Sequence, residues 1–457
     1  MVIQFITIII SIVLYITAPQ SYSSTHCFLS FFVFLYSAFK VLEYDFKNIN
    51  IINFNLLYLF SFLFCTYIFP LVLMPMGETG YLYRSSVLGV NESSVNVCTA
   101  LASVAISAYA FAYRKYVHVS VGRNSHNICI SKLLNLFTIL ITIAIAFTTI
   151  LFIGSNPDSV AMTESPFLHV IFYSLLAINL VTSCRSQSHQ QARPFKFFIN
   201  KCKVPIFCSM IIALLMFYMG DRGPIMSIGF IYLGSYSIFL KKIKLKFLVP
   251  LFITGVVCMF LIGALRSGDS SIRSGGVSGF SSSAKELVTS DNSTVLSFFS
   301  DFTNRYIELY SGYEYHEQNG NYYPLKIIPI MASPLPLFPN IISELIYGKP
   351  FLELSSVKAI NSNIFQSRDG WFGTHQVIDV FMSWGIIGVL IIFYLQGYLF
   401  AKISSYHKVS VLCGILYIIL LSKSVYLPRA VFFDLYRPIV WTYIFYILFV
   451  KKKINYE

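Results

Sequence analysis

The sequence predicts an all-α polytopic membrane protein of about twelve transmembrane helices, and three observations carry that prediction. Apolar runs of about twenty residues, the length a helix needs to cross the hydrocarbon core, recur from one end of the chain to the other. Charged residues make up 12% of the chain, against about 25% in an ordinary soluble domain. Basic residues, lysine above all, gather in alternate connecting segments, as the positive-inside rule requires of helices with a fixed orientation.

Taken in order, the runs fall near residues 2–18, 27–43, 52–76, 96–113, 133–154, 167–184, 204–219, 225–240, 247–265, 376–400, 409–424 and 437–450. The first has neither a basic leader nor a small-residue cleavage site, so it reads as a helix and not as a signal peptide. With the N-terminus in the cytoplasm, one side of the membrane collects Lys40 and Lys47, Arg114 and Lys115, Arg185 through Lys203, and Lys241 through Lys246. An even number of spans returns the basic tail "KKKINYE" to that same side. Of the acidic residues only Glu43, Asp45 and Glu457 join it, and the rest face outward. The net charge of +13 therefore reports topology and contact with anionic membrane lipids; nucleic acid is not implied.

Three regions follow. Residues 1–265 carry spans one to nine, residues 266–375 form one long periplasmic loop, and residues 376–457 carry spans ten to twelve and the tail. None of the nine cysteines lies in the long loop, so disulfides do not staple it. No Cys/His cluster has zinc spacing and no glycine-rich phosphate loop appears, so the sequence predicts neither metal nor cofactor.

The loop opens with "RSGDSSIRSGGVSGFSSSAK", a Ser/Gly-rich flexible stretch. Residues 291–318 then read as an amphipathic helix, with Asp291-Asn292-Ser293 placed to cap it and Arg305 and Glu308 one turn apart. Residues 322–348 are apolar, but Pro329, Pro334, Pro336 and Pro339 forbid a spanning helix. This stretch is expected to lie along the bilayer surface or to fold over a cavity.

Candidate chemistry lies on the outer face. In "YMGDRGPIMS" (218–227) the glycines permit a tight turn between spans seven and eight, and Pro224 suits the first turn of the next helix. Arg222 then sits at the membrane boundary, where a guanidinium is always charged and presents a fork of donors to paired anionic oxygens. Arg84, Arg266, Arg305 and Arg368 lie on the same face. Several arginines converging on one cavity suit a pyrophosphate leaving group, held without a metal. The plainer reading of each is a salt bridge to an outer carboxylate, or an arginine snorkelling to headgroups.

His375 precedes Asp379 by four residues, so on a helix the two share a face. A carboxylate beside an imidazole fixes its tautomer and raises its pKa, which suits a general base for a sugar hydroxyl. The same pair would serve equally to fasten the loop to span ten. "LEYDFK" offers Glu43 and Asp45 as an acidic pair, but the charge rule puts it on the cytoplasmic side, where it reads as a solvated loop.

The twelve-span layout, the late outer loop, "GDRGP", and "HQVIDVFMSWGIIGVLIIFYLQGYLFAK" with its GxxG element together resemble the Wzy-type O-antigen polymerases of the bacterial inner membrane. The layout resembles the family over the whole chain, the letters only in those two stretches. The resemblance implies a glycosyltransferase that moves a growing glycan from undecaprenyl pyrophosphate onto the nonreducing end of a lipid-linked repeat unit. It implies the lipid-linked oligosaccharide as substrate, with a chain-length regulator and a flippase of the same pathway as partners. Arg222 stands where the family has its arginine, and the role extends by analogy to Arg266 and Arg305. The related O-antigen ligases use an outer-loop histidine near the following span, which His375 matches. The ligase is therefore the main alternative. A lipid-linked oligosaccharide flippase fits less, because it would show short loops on both sides and charges buried mid-span.

Overall fold

The computed structural model describes residues 2–75, 92–118, 128–130, 132–155, 166–185, 194–219, 221–243, 246, 250, 255, 293–335, 338–364 and 373–452. Nearly all the regular structure among them is helical; the exception is a pair of three-residue strands, β1 (Ile128–Ile130) and β2 (Val450–Lys452), joined antiparallel with Cys129 opposite Lys451. Eleven of the twelve apolar runs coincide with helices, and the ninth, 247–265, lies almost wholly outside the described residues. By length and composition, five described helices can cross a membrane: Ser24–Asn48, Ser94–Tyr116, Lys132–Leu151, Phe167–Arg185 and Gln376–Tyr406. Pro194–Lys201 and Lys203–Met219, bent by 76° at their junction, make a sixth if taken as one span.

The solvent these helices are built for is legible in what they bury. Helix α1 (Val2–Ile16) buries Gln4, Thr7 and Ser11 and exposes Val2, Ile3, Phe5, Ile6, Ile9, Ile10 and Val13. That is the inverse of a helix in water. It is stable only where the surroundings are hydrocarbon and the polar groups must find partners inside. Thr7 and Ser11 do so by donating to the carbonyls of Gln4 and Ile8.

The chain divides into two compact units that interleave in sequence. The first comprises Met1–Ser120, Phe299–Tyr406 and Lys423–Arg437. Its centre is α4 (Glu92–Tyr116), whose small residues, "TALASVAISAYA", let neighbours approach closely. Around it pack α1, α2 (Ser24–Asn48), α3 (Phe54–Thr66) and α14 (Gln376–Tyr406). Gly397 of α14 lies so close to α4 that a Cβ there would come within 2.3 Å of the Tyr109 carbonyl oxygen.

Span ten departs from a single helix. A straight helix would separate Gln376 from Gln396 by about 30 Å, yet their side chains hydrogen-bond at 3.1 Å. The helix reverses at Gly385, whose φ of 61° and ψ of −161° only glycine adopts freely. A buried limb, 376–384, therefore folds back along a longer limb, 386–406. Gly388, the second glycine of the GxxG element, is required by the same turn: a Cβ there would lie 2.3 Å from that of Trp384.

The loop region contributes α10 (Ser293–Asn319), α11 (Ile327–Met331), α12 (Phe338–Tyr347) and α13 (Ser356–Ile364). The first of these is the amphipathic helix read at 291–318, and its apolar face turns inward: Tyr306, Ile307, Leu309 and Tyr310 are buried together with Glu308, and Tyr306 donates to the Val95 carbonyl of α4 at 2.9 Å. Gly312 opens room for Ile378 of the re-entrant limb, where a Cβ would meet Ile378 Cγ1 at 2.5 Å. Hydrophobic burial against both α4 and the limb outweighs the moderate polarity of α10.

The second unit comprises Val121–Phe298, His407–Ser422 and Pro438–Glu457. Helix α6 (Pro166–Arg185) is largely buried among α5 (Lys132–Ser155), α8 (Lys203–Met219) and α9 (Arg222–Phe239), with α7 (Pro194–Lys201) leading into α8. Gly234 of α9 admits Leu421 of α15 (Val411–Lys423). The Arg185 guanidinium donates to the carbonyls of His407 and Val409, satisfying backbone that the helix ends leave open. Helix α16 (Tyr436–Phe449) closes the chain, and its Thr442 donates to Ser174 of α6 at 3.0 Å.

Candidate functional site

A group of buried ionisable side chains of the first unit gathers at the re-entrant limb. His375 ends the incoming chain and acts as the limb's N-cap: its carbonyl accepts from Asp379 N at 3.0 Å and its ring Nδ1 accepts from Val377 N at 3.3 Å. Nδ1 therefore carries no proton, Nε2 does, and Nε2 donates to Thr66 Oγ1 of α3 at 3.0 Å. The ring is fully buried, edge-on to Phe62. The next residue, Gln376, accepts from Tyr58 at 3.0 Å and donates to Gln396.

The expected pairing of His375 with Asp379 is replaced by a different one. One carboxylate oxygen of Asp379 accepts from Lys326 Nζ at 2.9 Å and from Ser356 Oγ at 2.6 Å, and the other accepts from Phe432 N at 3.0 Å. Lysine and aspartate are both buried, at 3% and 2% side-chain exposure. Spacing of i and i+4 allows contact but does not compel it; here a whole lysine charge outcompetes a neutral imidazole for the carboxylate. Lys326 also donates to the Asp379 carbonyl at 3.1 Å and lies 5.6 Å from the Trp384 ring.

At the limb's inner end Glu308 of α10, buried, accepts from Gly373 N at 2.6 Å, and Thr374 hydrogen-bonds Ser356 at 3.1 Å. A carboxylate there also complements the positive end of the limb's helix dipole. Tyr322 binds the tip: its N–H donates to the Met382 carbonyl at 2.7 Å and its hydroxyl to the Glu353 carbonyl at 2.5 Å. Burial pushes that phenol above its ordinary range, so it stays a donor.

Of the five arginines, Arg222 alone has a described side chain. Arg222 is the first residue of α9 in the second unit; Asp221, extended at φ −93° and ψ 114°, caps the helix by accepting from Gly223 N at 2.8 Å. The turn and the helix start read from "GDRGP" are thus present. Arg305 lies on α10, three residues before Glu308, and its side chain falls outside the described atoms. Arg84, Arg266 and Arg368 lie outside the described residues. Among the described residues no group of three metal-ligating side chains forms.

Four groups escaped sequence reasoning. Lys326 is a lone lysine inside the apolar stretch 322–348, and a charge in such surroundings is itself a signal. Glu308 was noted only as a partner for Arg305. Ser356 and Thr66 carry no signal. The acidic pair also divides differently from the solvated loop expected of it: both residues lie on α2, Glu43 between Lys40 and Lys47 at 3.3 and 3.2 Å, Asp45 fully buried. Asp45 accepts from Tyr113 and Asn55, each at 2.7 Å.

No protein-family model matches the chain, and no curated protein or solved structure matches it either.

Proposed function

We propose that the chain is a metal-independent glycosyltransferase of the bacterial inner membrane, an O-antigen polymerase with twelve spans and both termini in the cytoplasm. Its donor is a glycan on undecaprenyl pyrophosphate and its acceptor a lipid-linked repeat unit. In the reaction an acceptor hydroxyl oxygen bonds to the anomeric carbon, the bond from that carbon to the pyrophosphate breaks, and the hydroxyl proton passes to a base. Arg222, with Arg84, Arg266, Arg305 and Arg368, supplies guanidinium groups to the departing diphosphate. Glu308 and His375, at the inner end of the re-entrant limb, are the groups suited to take the proton. Each now holds a backbone N–H that it must release to do so.

One observation carries this reading. Three side chains from the long loop reach the re-entrant limb and its entry: Glu308 of α10 accepts from Gly373 N, Ser356 of α13 donates to Asp379, and Lys326 pairs with Asp379. A site to which one loop lends three polar side chains serves chemistry at the face of the membrane where that loop lies.

A second reading rests on the same limb. Transporters build substrate sites from helices broken within the membrane, and the buried Asp45, Glu308, Lys326 and Asp379 remove the argument that this chain's helices lack internal charge. A flippase is therefore the rival from a different class, and a ligase the rival within the same one.

Deletion of the gene, followed by electrophoresis of the lipopolysaccharide, separates all three. Core carrying one repeat unit is the expected outcome. Core without O-antigen would mean a ligase, and precursor accumulating on the cytoplasmic side would mean a flippase.

A further inference from the structure

The segment between α10 and α13 turns its apolar side away from the protein. On α12, Phe338, Ile341 and Leu345 stand exposed on one face, Leu345 at 85%, while Pro339 and Ser343 are buried on the other. On α11, Ile328 and Met331 are exposed and Pro329 and Ile330 buried. A protein surface in water seldom leaves a contiguous apolar face of this extent uncovered.

Its position says what covers it. Trp384 Nε1 donates to the Pro324 carbonyl at 2.8 Å, and Tyr436 donates to the Met331 carbonyl at 3.2 Å. These bonds fix the segment beside the reversal at Gly385. From there Ile387, Ile391, Leu395 and Leu399 run down the long limb of α14 at four-residue spacing, all exposed. That stripe belongs to a helix long and apolar enough to cross a membrane, so its surroundings are acyl chains. The segment that carries the exposed faces of α11 and α12 leaves this end of the long limb at Pro324, whose carbonyl Trp384 holds. Polar-tipped aromatics and a lysine border it: Lys349 donates to Tyr323 at 2.9 Å, and Tyr347 accepts from Leu325 N at 2.7 Å. Such groups mark the headgroup level of a bilayer.

We propose that residues 325–335 and 338–352 form an interfacial plate immersed in the acyl region of the leaflet at this end of the helices, with bilayer lipid as its partner. The plate carries Lys326 on its inner side, buried against Asp379. The proposal rests on the chain crossing a membrane and not on glycosyl transfer.

The test is depth-dependent quenching in the full chain, reconstituted into phosphatidylcholine–phosphatidylglycerol vesicles containing doxyl-labelled phosphatidylcholine. A fluorophore is placed on Leu345→Cys in a cysteine-free background. Ile391→Cys serves as the acyl-chain reference and Lys358→Cys, on an exposed side chain, as the aqueous one. The Leu345→Cys label is expected to be quenched by the doxyl lipid as much as that at Ile391→Cys, and several-fold less than that at Lys358→Cys by iodide. Quenching by iodide in place of lipid would overturn the plate, and so would protection from both, which would mean a protein cover. If the cysteine-free chain does not fold, doxyl quenching of the emission that Leu345→Trp adds to the native chain gives the same decision.

Discussion

Gln376 donates a hydrogen bond to Gln396 across 3.1 Å, although twenty residues of one apolar helix separate them in sequence. The relationship requires the reversal at Gly385, whose backbone lies in a region that side chains with a Cβ avoid at a cost of about 1–3 kcal/mol. Gly385→Ala is expected to lose stability in that range. Thermal unfolding of the purified protein in detergent measures it, and an unchanged midpoint would mean that the limb does not fold back. Gly388→Leu is expected to be worse, because its Cβ starts inside contact distance of Trp384.

The Lys326–Asp379 pair gives a second prediction. Removing one partner leaves the other buried and unpaired, which typically costs about 3–5 kcal/mol. Lys326→Met and Asp379→Leu should each fall in that range. The double variant should recover part of the loss: no charge is left unpaired, but Ser356 and Phe432 N still lack the acceptor that Asp379 gave them. A double-mutant cycle on unfolding free energy reads the coupling directly. Additive losses would mean that the two charges do not stabilise each other.

Much of the helix pattern was legible because hydrocarbon selects for length and apolarity, both written in the sequence. The runs 204–219 and 225–240 meet at "GDRGP", where glycine, a capping aspartate and proline all announce a break, and α8 and α9 end and begin there. The run 376–400 announces nothing of the kind. Its limb is as apolar as the helix it folds against, and Gly385 looks like any glycine in a membrane helix, so hydropathy reads one span where the chain makes a hairpin. The site was legible in outline only. His375 and Asp379 do lie on one limb, but their partners come from residues 66, 326, 356 and 432, and long-range pairing of that kind leaves no local trace. The same holds for α10, whose aromatic residues are equally at home on a surface or, as here, against α4.

His375 supports a prediction that separates positioning from catalysis. Its ring provides a cap to Val377 N and a donor to Thr66. His375→Ala forfeits both, at about 1–2 kcal/mol together. His375→Asn keeps an acceptor within reach of Val377 N and should regain part of that loss. If His375 only positions the limb, polymer formed per folded molecule should stay near that of the unaltered protein in both variants. A drop of about 10²–10⁴-fold in both, with the asparagine variant stably folded, would identify the ring as the proton acceptor.

Arg222 offers the most direct test of the proposed chemistry, because its side chain can be changed without touching the cap of its helix. Asp221 supplies that cap through Gly223 N, so Arg222→Ala should leave α9 and the amount of membrane-inserted protein intact, whereas Asp221→Ala should cost about 1 kcal/mol of stability. With diphosphate recognition at Arg222, the alanine variant should reduce the lipopolysaccharide ladder to single repeat units. Arg222→Lys should restore it only in part, since an ammonium cannot reproduce two parallel donors. The same scheme, with guanidinium groups in place of a divalent ion at the leaving group, expects the activity to persist in EDTA. A full-length ladder from Arg222→Ala would remove this residue from the site, and a strict divalent requirement would remove the arginine scheme altogether.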